Sequence, residues 1–215
     1  MNQGSELKNV DKEIIEFFQA HEEVILDAWK TEDGGSKYSF DYQNPGGYFT
    51  KMMSKAIPYI ENRRVLDIGC NAGLNSLIAA FSAKKVIGCD RNDVLVARAN
   101  AAKDALEEYR TFSNLSFATG DFSRFLTEEV NAIIVARVLY HLTDEGIEKL
   151  KRFINSLDDF VLVVHTRPGR KRSATQVYNG LIELEDIEEF FADAGLRLVD
   201  SWGAPRHKFI VGRSL

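Results

Sequence analysis

The stretch Val65-Leu66-Asp67-Ile68-Gly69-Cys70-Asn71-Ala72-Gly73-Leu74-Asn75-Ser76 constrains the fold more than any other part of the chain. A short apolar run of strand formers ends at an acidic residue, passes through a glycine-punctuated turn and enters a helical pattern expected over 74–83. In open α/β sheets, ligands settle at the carboxyl end of such a strand. A dinucleotide turn would need glycine at 69, 71 and 74, but Asn71 and Leu74 occupy two of those positions. A carboxylate two residues before the first glycine suits a ligand bearing hydroxyl and amino groups, because it accepts hydrogen bonds and repels phosphate. Both features disfavour a nicotinamide oxidoreductase.

Similar strands recur downstream. Val86-Ile87-Gly88-Cys89-Asp90 ends in an acid that follows Asp67 by 23 positions (90 − 67), the distance at which a β-α-β unit places a carboxylate beside a ribose. A long helix is expected over 93–110, and Leu115–Phe122 forms a third strand running into Asp121. Residues 131–137 and 160–166 are near-continuous apolar strands of the kind buried on both faces. Between them lies a helix capped at Thr143 or Asp144 and reaching about Leu157, and another covers 184–194 up to Gly195. Two closing strands, 196–200 and 207–212, flank the turn Gly203-Ala204-Pro205. The order βαβαβαβαβαββ predicts an α/β fold: a doubly wound, mostly parallel seven-stranded sheet with an antiparallel last strand.

Ahead of the sheet, Leu7, Val10, Ile14, Phe17, Phe18, Val24, Ile25 and Ala28 recur at helical spacing. Turn chemistry then surrounds Tyr38, Phe40 and Tyr42, and a helix is expected over 46–60. Two segments follow: an N-terminal helical part with a lid-like loop over 1–47, and the main domain over 48–215. With 215 residues the main core is large. A net charge of −5 argues against a nucleic-acid coat. The two cysteines, Cys70 and Cys89, form neither a zinc pattern nor a disulfide framework, so no metal is expected. The expected setting is cytoplasmic, with no membrane segment.

Asp67-x-Gly69-x-Asn71-x-Gly73 resembles the first motif of the class I S-adenosylmethionine-dependent methyltransferases, with Asn71 in place of the usual middle glycine. The resemblance implies S-adenosylmethionine as cofactor, held by Asp67, Gly69, Asn71 and Gly73 with the adjoining Cys70, by Asp90 at the ribose with the adjoining Arg91, and by Asp121 and Phe122 at the adenine. Arg137 is placed to contact the cofactor carboxylate or an anionic substrate. Val138–Leu142, taken with Asp67–Asn71, is similar to the branch containing transferases that modify wobble uridine in tRNA; this finer likeness covers about residues 48–166.

Methyl transfer needs donor and nucleophile held in line, and a base where the nucleophile carries a proton. Of the four histidines, His141 and His165 belong to the ligand-facing edge, with Tyr140 placed to orient substrate. Tyr38 and Tyr42 from the lid-like loop, with Arg167 and Arg170 from the basic run Arg167-Pro168-Gly169-Arg170-Lys171-Arg172, are the substrate-binding candidates. The leading expectation is an enzyme methylating O or N of a small acceptor, with an anionic one within its range. The alternatives are a tRNA-modifying methyl or carboxymethyl transferase and a non-catalytic S-adenosylmethionine-binding module.

Overall fold

The computed structural model describes residues 3–30, 45–168, 181 and 183–214. Two helices, α1 (Gln3–Ala20) and α2 (Glu22–Trp29), precede the sheet, followed by α3 (Tyr48–Ser54) and α4 (Ile57–Ile60). The alternating part runs β1 (Arg64–Ile68), α5 (Leu74–Ala79), β2 (Lys85–Asp90), α6 (Asp93–Leu106), β3 (Leu115–Thr119) and β4 (Ala132–Ala136). It continues through α7 (Asp144–Asn155), β5 (Val161–Thr166) and α8 (Leu184–Asp193) to β6 (Leu196–Trp202) and β7 (Lys208–Ser214). The seven strands lie in the order β3-β2-β1-β4-β5-β7-β6. The first five are parallel, and β7 inserts antiparallel between β5 and β6. The expected sheet and its antiparallel end are therefore present.

Alternation along each central strand builds two cores. Val65, Ile134, Val161 and Val163 face the layer made with α1, α2, α3 and α5. Leu66, Ile68, Ile133, Val135, Leu162 and Val164 face α7 and α8. Ile14, Phe18, Ile25 and Trp29 are buried in the first of these layers, in one cluster with Leu77 and Ile78 of α5, so the N-terminal helices share the core of the sheet.

Four local expectations are corrected. The helix expected over 46–60 is two helices, because Pro58, at the start of α4, has no N–H to give to the turn before it. The helices expected to reach 83 and 110 end at Ala79 and Leu106. Between β3 and β4 there is only a 3-10 turn, Phe122–Phe125, where the alternating order called for a helix. The chain there must cross past β2 and β1 to reach β4, and the stretch between Thr119 and Ala132 is too short to do that and also wind a full helix.

Candidate functional site

A cavity of about 620 Å³ opens at the carboxyl ends of β1 to β4. The β1 and β4 ends adjoin where strand order reverses, and the loops leaving them diverge to opposite faces of the sheet. Gly69 forms the floor in a left-handed conformation (φ 68°), where an added Cβ would lie 2.4 Å from Cγ2 of Val138. Asn71 also takes a left-handed conformation, at φ 53°. Asparagine tolerates that region better than most residues, which explains how it replaces glycine in this turn. Its side-chain oxygen accepts from Ala72 N at 2.7 Å, tightening the loop.

Asp90 and Asp121 bring two carboxylates to the cavity on neighbouring strand ends. Asp90 braces the first loop by accepting from Asn71 N through Oδ2 (3.1 Å), and accepts from Asn92 N through Oδ1 (2.9 Å). Asp121 accepts from Ser123 N at 3.0 Å. Hydrogen bonding from Ser123, helped by the charges of Arg91 and Lys149, holds its carboxyl below the usual range. Phe122 and Arg91 complete this part of the wall. Asp67 lies beneath the cavity rather than on its wall. It is fully buried, accepts from Ser76 Oγ at 2.6 Å through Oδ2, and its Oδ1 has no hydrogen-bond partner. Burial, with the charge of Asp90, pushes its pKa up to about 7 against the effect of the Ser76 bond.

Of the remaining candidates, His141 faces the cavity from a 3-10 turn, Leu139–His141, after β4. Tyr140 is 1% exposed and packs its ring against His141, with centroids 4.5 Å apart, so it supports the wall from behind. Cys70 and Cys89 are buried free thiols whose pKa values burial raises, that of Cys89 to about 12. Gly73, at φ 88°, closes the loop against Phe117 and Ala99. Arg137 follows β4 at φ 63° and its N–H donates to His165 O at 2.7 Å. His165, at the end of β5, faces α3 instead of the cavity, with its ring 4.7 Å from that of Phe49. Burial holds its pKa well below the ordinary histidine value, and the charges of Arg137, His207 and Arg167 act in the same direction. Arg167 follows it in a half-buried position. Tyr38, Tyr42 and Arg170 lie outside the described residues.

Sequence reasoning missed two groups. Thr143, Glu145, Gly146 and Lys149 bring the first turns of α7 into the cavity wall, and the Thr143 cap on Gly146 N (3.1 Å) fixes where that helix begins. Trp29 is the second: its indole N–H donates to Ala72 O at 2.9 Å, tying α2 to the Asn71 loop from outside. A tryptophan closing an amphipathic helix was the only available signal for it. Among the described residues no group of three or more His, Cys, Asp or Glu side chains is arranged to hold a metal, and no helix is long and apolar enough to cross a membrane.

The donor set fits the cofactor that the first motif implied. Its volume falls in the usual range for small-ligand sites. Its carboxylates match ribose hydroxyls and an adenine amino group, and an orphaned carboxylate oxygen sits under the loop. Comparison with known proteins agrees. Residues 65–158 match the family described as "Methyltransferase domain". A ribosomal protein L11 methyltransferase of Streptococcus equi subsp. zooepidemicus is 26% identical over 144 residues, covering 61% of this chain and 44% of that protein. A sterol 24-C-methyltransferase of Debaryomyces hansenii is 27% identical over 117 residues, covering 50% of this chain and 30% of that protein. The chain thus spans less than half the length of these curated relatives. Among solved structures, magnesium protoporphyrin IX methyltransferase of Synechocystis PCC 6803 with bound S-adenosylmethionine superposes with a TM-score of 0.61 at 18% identity, covering 95% of this chain and 97% of that one. At that identity the likeness speaks for the fold. Family match, fold and donor set converge: residues 65–158 are similar to a methyltransferase domain, and the chain carries the α/β fold of a methyltransferase solved with bound S-adenosylmethionine.

Proposed function

We propose that the protein transfers a methyl group from S-adenosylmethionine to an oxygen or nitrogen of a small acceptor. The observation that carries this reading is the joining of Asp90, Asp121 and Gly69, from three separate strand ends, around one cavity with His141 on its wall. S-adenosylmethionine supplies an electrophilic methyl on a sulfonium sulfur. The chain's own part is binding, orientation and proton removal. Asp90 accepts from ribose hydroxyls while bracing the Asn71 loop, Asp121 accepts from the adenine amino group, and Phe122 flanks the ring. Asp67, Asn71 and Gly73 shape the loop beneath the methionine portion. His141 takes the acceptor's proton, because an imidazole nitrogen can accept one and this ring faces the cavity. Tyr140 fixes the His141 ring.

A small acceptor is favoured by the net charge of −5 and by relatives named for porphyrin and sterol substrates. Arg137 and Arg167, at the ends of β4 and β5, would favour an anionic group on it. Incubation with methyl-labelled donor and a cell extract separated by size tests this assignment. Label should appear in the low-molecular-weight fraction, whereas label confined to RNA or protein would contradict it. With the acceptor in hand, His141→Gln should lower kcat by about 100-fold or more with little change in donor affinity.

A further inference from the structure

The wall of the donor cavity contains a glycine that neither backbone geometry nor packing requires. Gly146 is buried in the first turn of α7, and its N–H donates to Thr143 Oγ1 at 3.1 Å. A glycine in a helix costs stability relative to alanine, because it loses more backbone freedom on folding. Elsewhere in the chain the fold itself demands the glycine. Gly69 needs its left-handed φ of 68°, and a Cβ at Gly88 would lie 2.6 Å from the Phe117 ring. Gly146 has neither need. Its backbone is helical, and a Cβ built on it would lie 3.4 Å from Thr143 Oγ1, 3.5 Å from Phe122 Cε1 and 3.7 Å from Leu142 Cβ, which are ordinary contact distances.

The three atoms that would meet this methyl all belong to residues of the cavity wall. Thr143, Phe122 and Leu142 line the donor cavity, as Gly146 does, so an alanine side chain would stand on that wall between them. Phe122 directly follows Asp121, the carboxylate assigned to the adenine amino group, which puts Gly146 beside the base. We infer that Gly146 is a specificity-determining residue for the donor: its missing side chain leaves the width in which the adenine ring passes the first turn of α7. This rests on the methyl-transfer reading and deepens it. A planar base can lie against bare helix backbone at a contact distance of about 3.5–4.0 Å. A methyl at 146 moves the base outward by roughly a bond length, which takes its hydrogen bond to Asp121 out of the range of about 2.7–3.2 Å in which such bonds hold. The chain thus gives up helix stability at this position for affinity toward the base.

Gly146→Ala in the whole chain tests it without a known acceptor, because the inference predicts opposite signs for stability and binding. The thermal midpoint should rise by about 1–4 °C, since alanine suits a helical position better than glycine. Calorimetric titration should show the Kd for S-adenosylmethionine raised by about 10-fold. The affinity for 5′-methylthioadenosine, which keeps the base and ribose and lacks the amino-acid part, should fall by the same factor. Gly146→Val should weaken both ligands further. A lowered midpoint in Gly146→Ala would make the glycine a packing requirement and overturn the inference, as would an unchanged Kd for either ligand. Two results keep the claims apart: equal donor affinity in parent and alanine variant sinks only this inference, whereas a parent that binds neither ligand sinks the transfer reading on which it rests.

Discussion

Asp67 shows how one residue type can be forced by a fold and still be costly. Its carboxyl has no exposed surface, takes its hydrogen bonding from Ser76, and burial raises its pKa to about 7. In the unfolded chain it titrates near 4. Between those values the folded state holds a proton that the unfolded state has lost, so stability falls as pH rises from about 4 to about 7 and levels off above. Asp67→Asn keeps the shape without the charge. It should flatten that part of the stability profile and gain on the order of a few kcal/mol relative to the parent at pH 8. Urea unfolding across pH measures it, and parallel profiles for the two proteins would contradict the assignment. The position of this acid was legible in the sequence because an apolar strand leads straight into it. Its burial beneath the cavity was not, since that depends on α5 folding back to place Ser76 over it.

At the scale of elements, the link between α2 and the Asn71 loop makes a prediction of its own. Trp29 reaches across the core to Ala72 O, from outside the stretch matched by the family domain. Trp29→Phe keeps most of the buried ring and removes the donor. It should weaken S-adenosylmethionine binding several-fold and lower stability by about 1 kcal/mol. An unchanged Kd with reduced stability would make the contact structural only. Strands and their terminal acids were legible because continuous apolar runs have one use in a doubly wound sheet. Helix ends were less so: Met52, Met53, Ala56 and Ile57 continue an apolar pattern that Pro58 interrupts, and nothing around Arg137 announces the turn that turns α7 toward the cavity. The direction of His165 could have been read from the pleat, since it shares the face of Val161 and Val163, which pack with α3 and its neighbours.

The whole molecule assigns its work by strand order. Three acids arrive at one edge because β1, β2 and β3 are adjacent and parallel, and β4 lies on the other side of β1, so the loops on either side of that reversal enclose the cavity. The N-terminal helices, which share the core with α5, brace the loop between β1 and α5. Donor recognition by Asp90 is the central claim, and it is tested most directly by titrating the protein and its Asp90→Asn variant calorimetrically with S-adenosylmethionine. Asparagine keeps the size of the side chain and an oxygen for the Asn71 N–H while removing the charge and an acceptor. The account predicts saturable binding to the parent and a Kd raised by ~10-fold or more in the variant. Equal affinity in both proteins, or no binding to the parent, would contradict it.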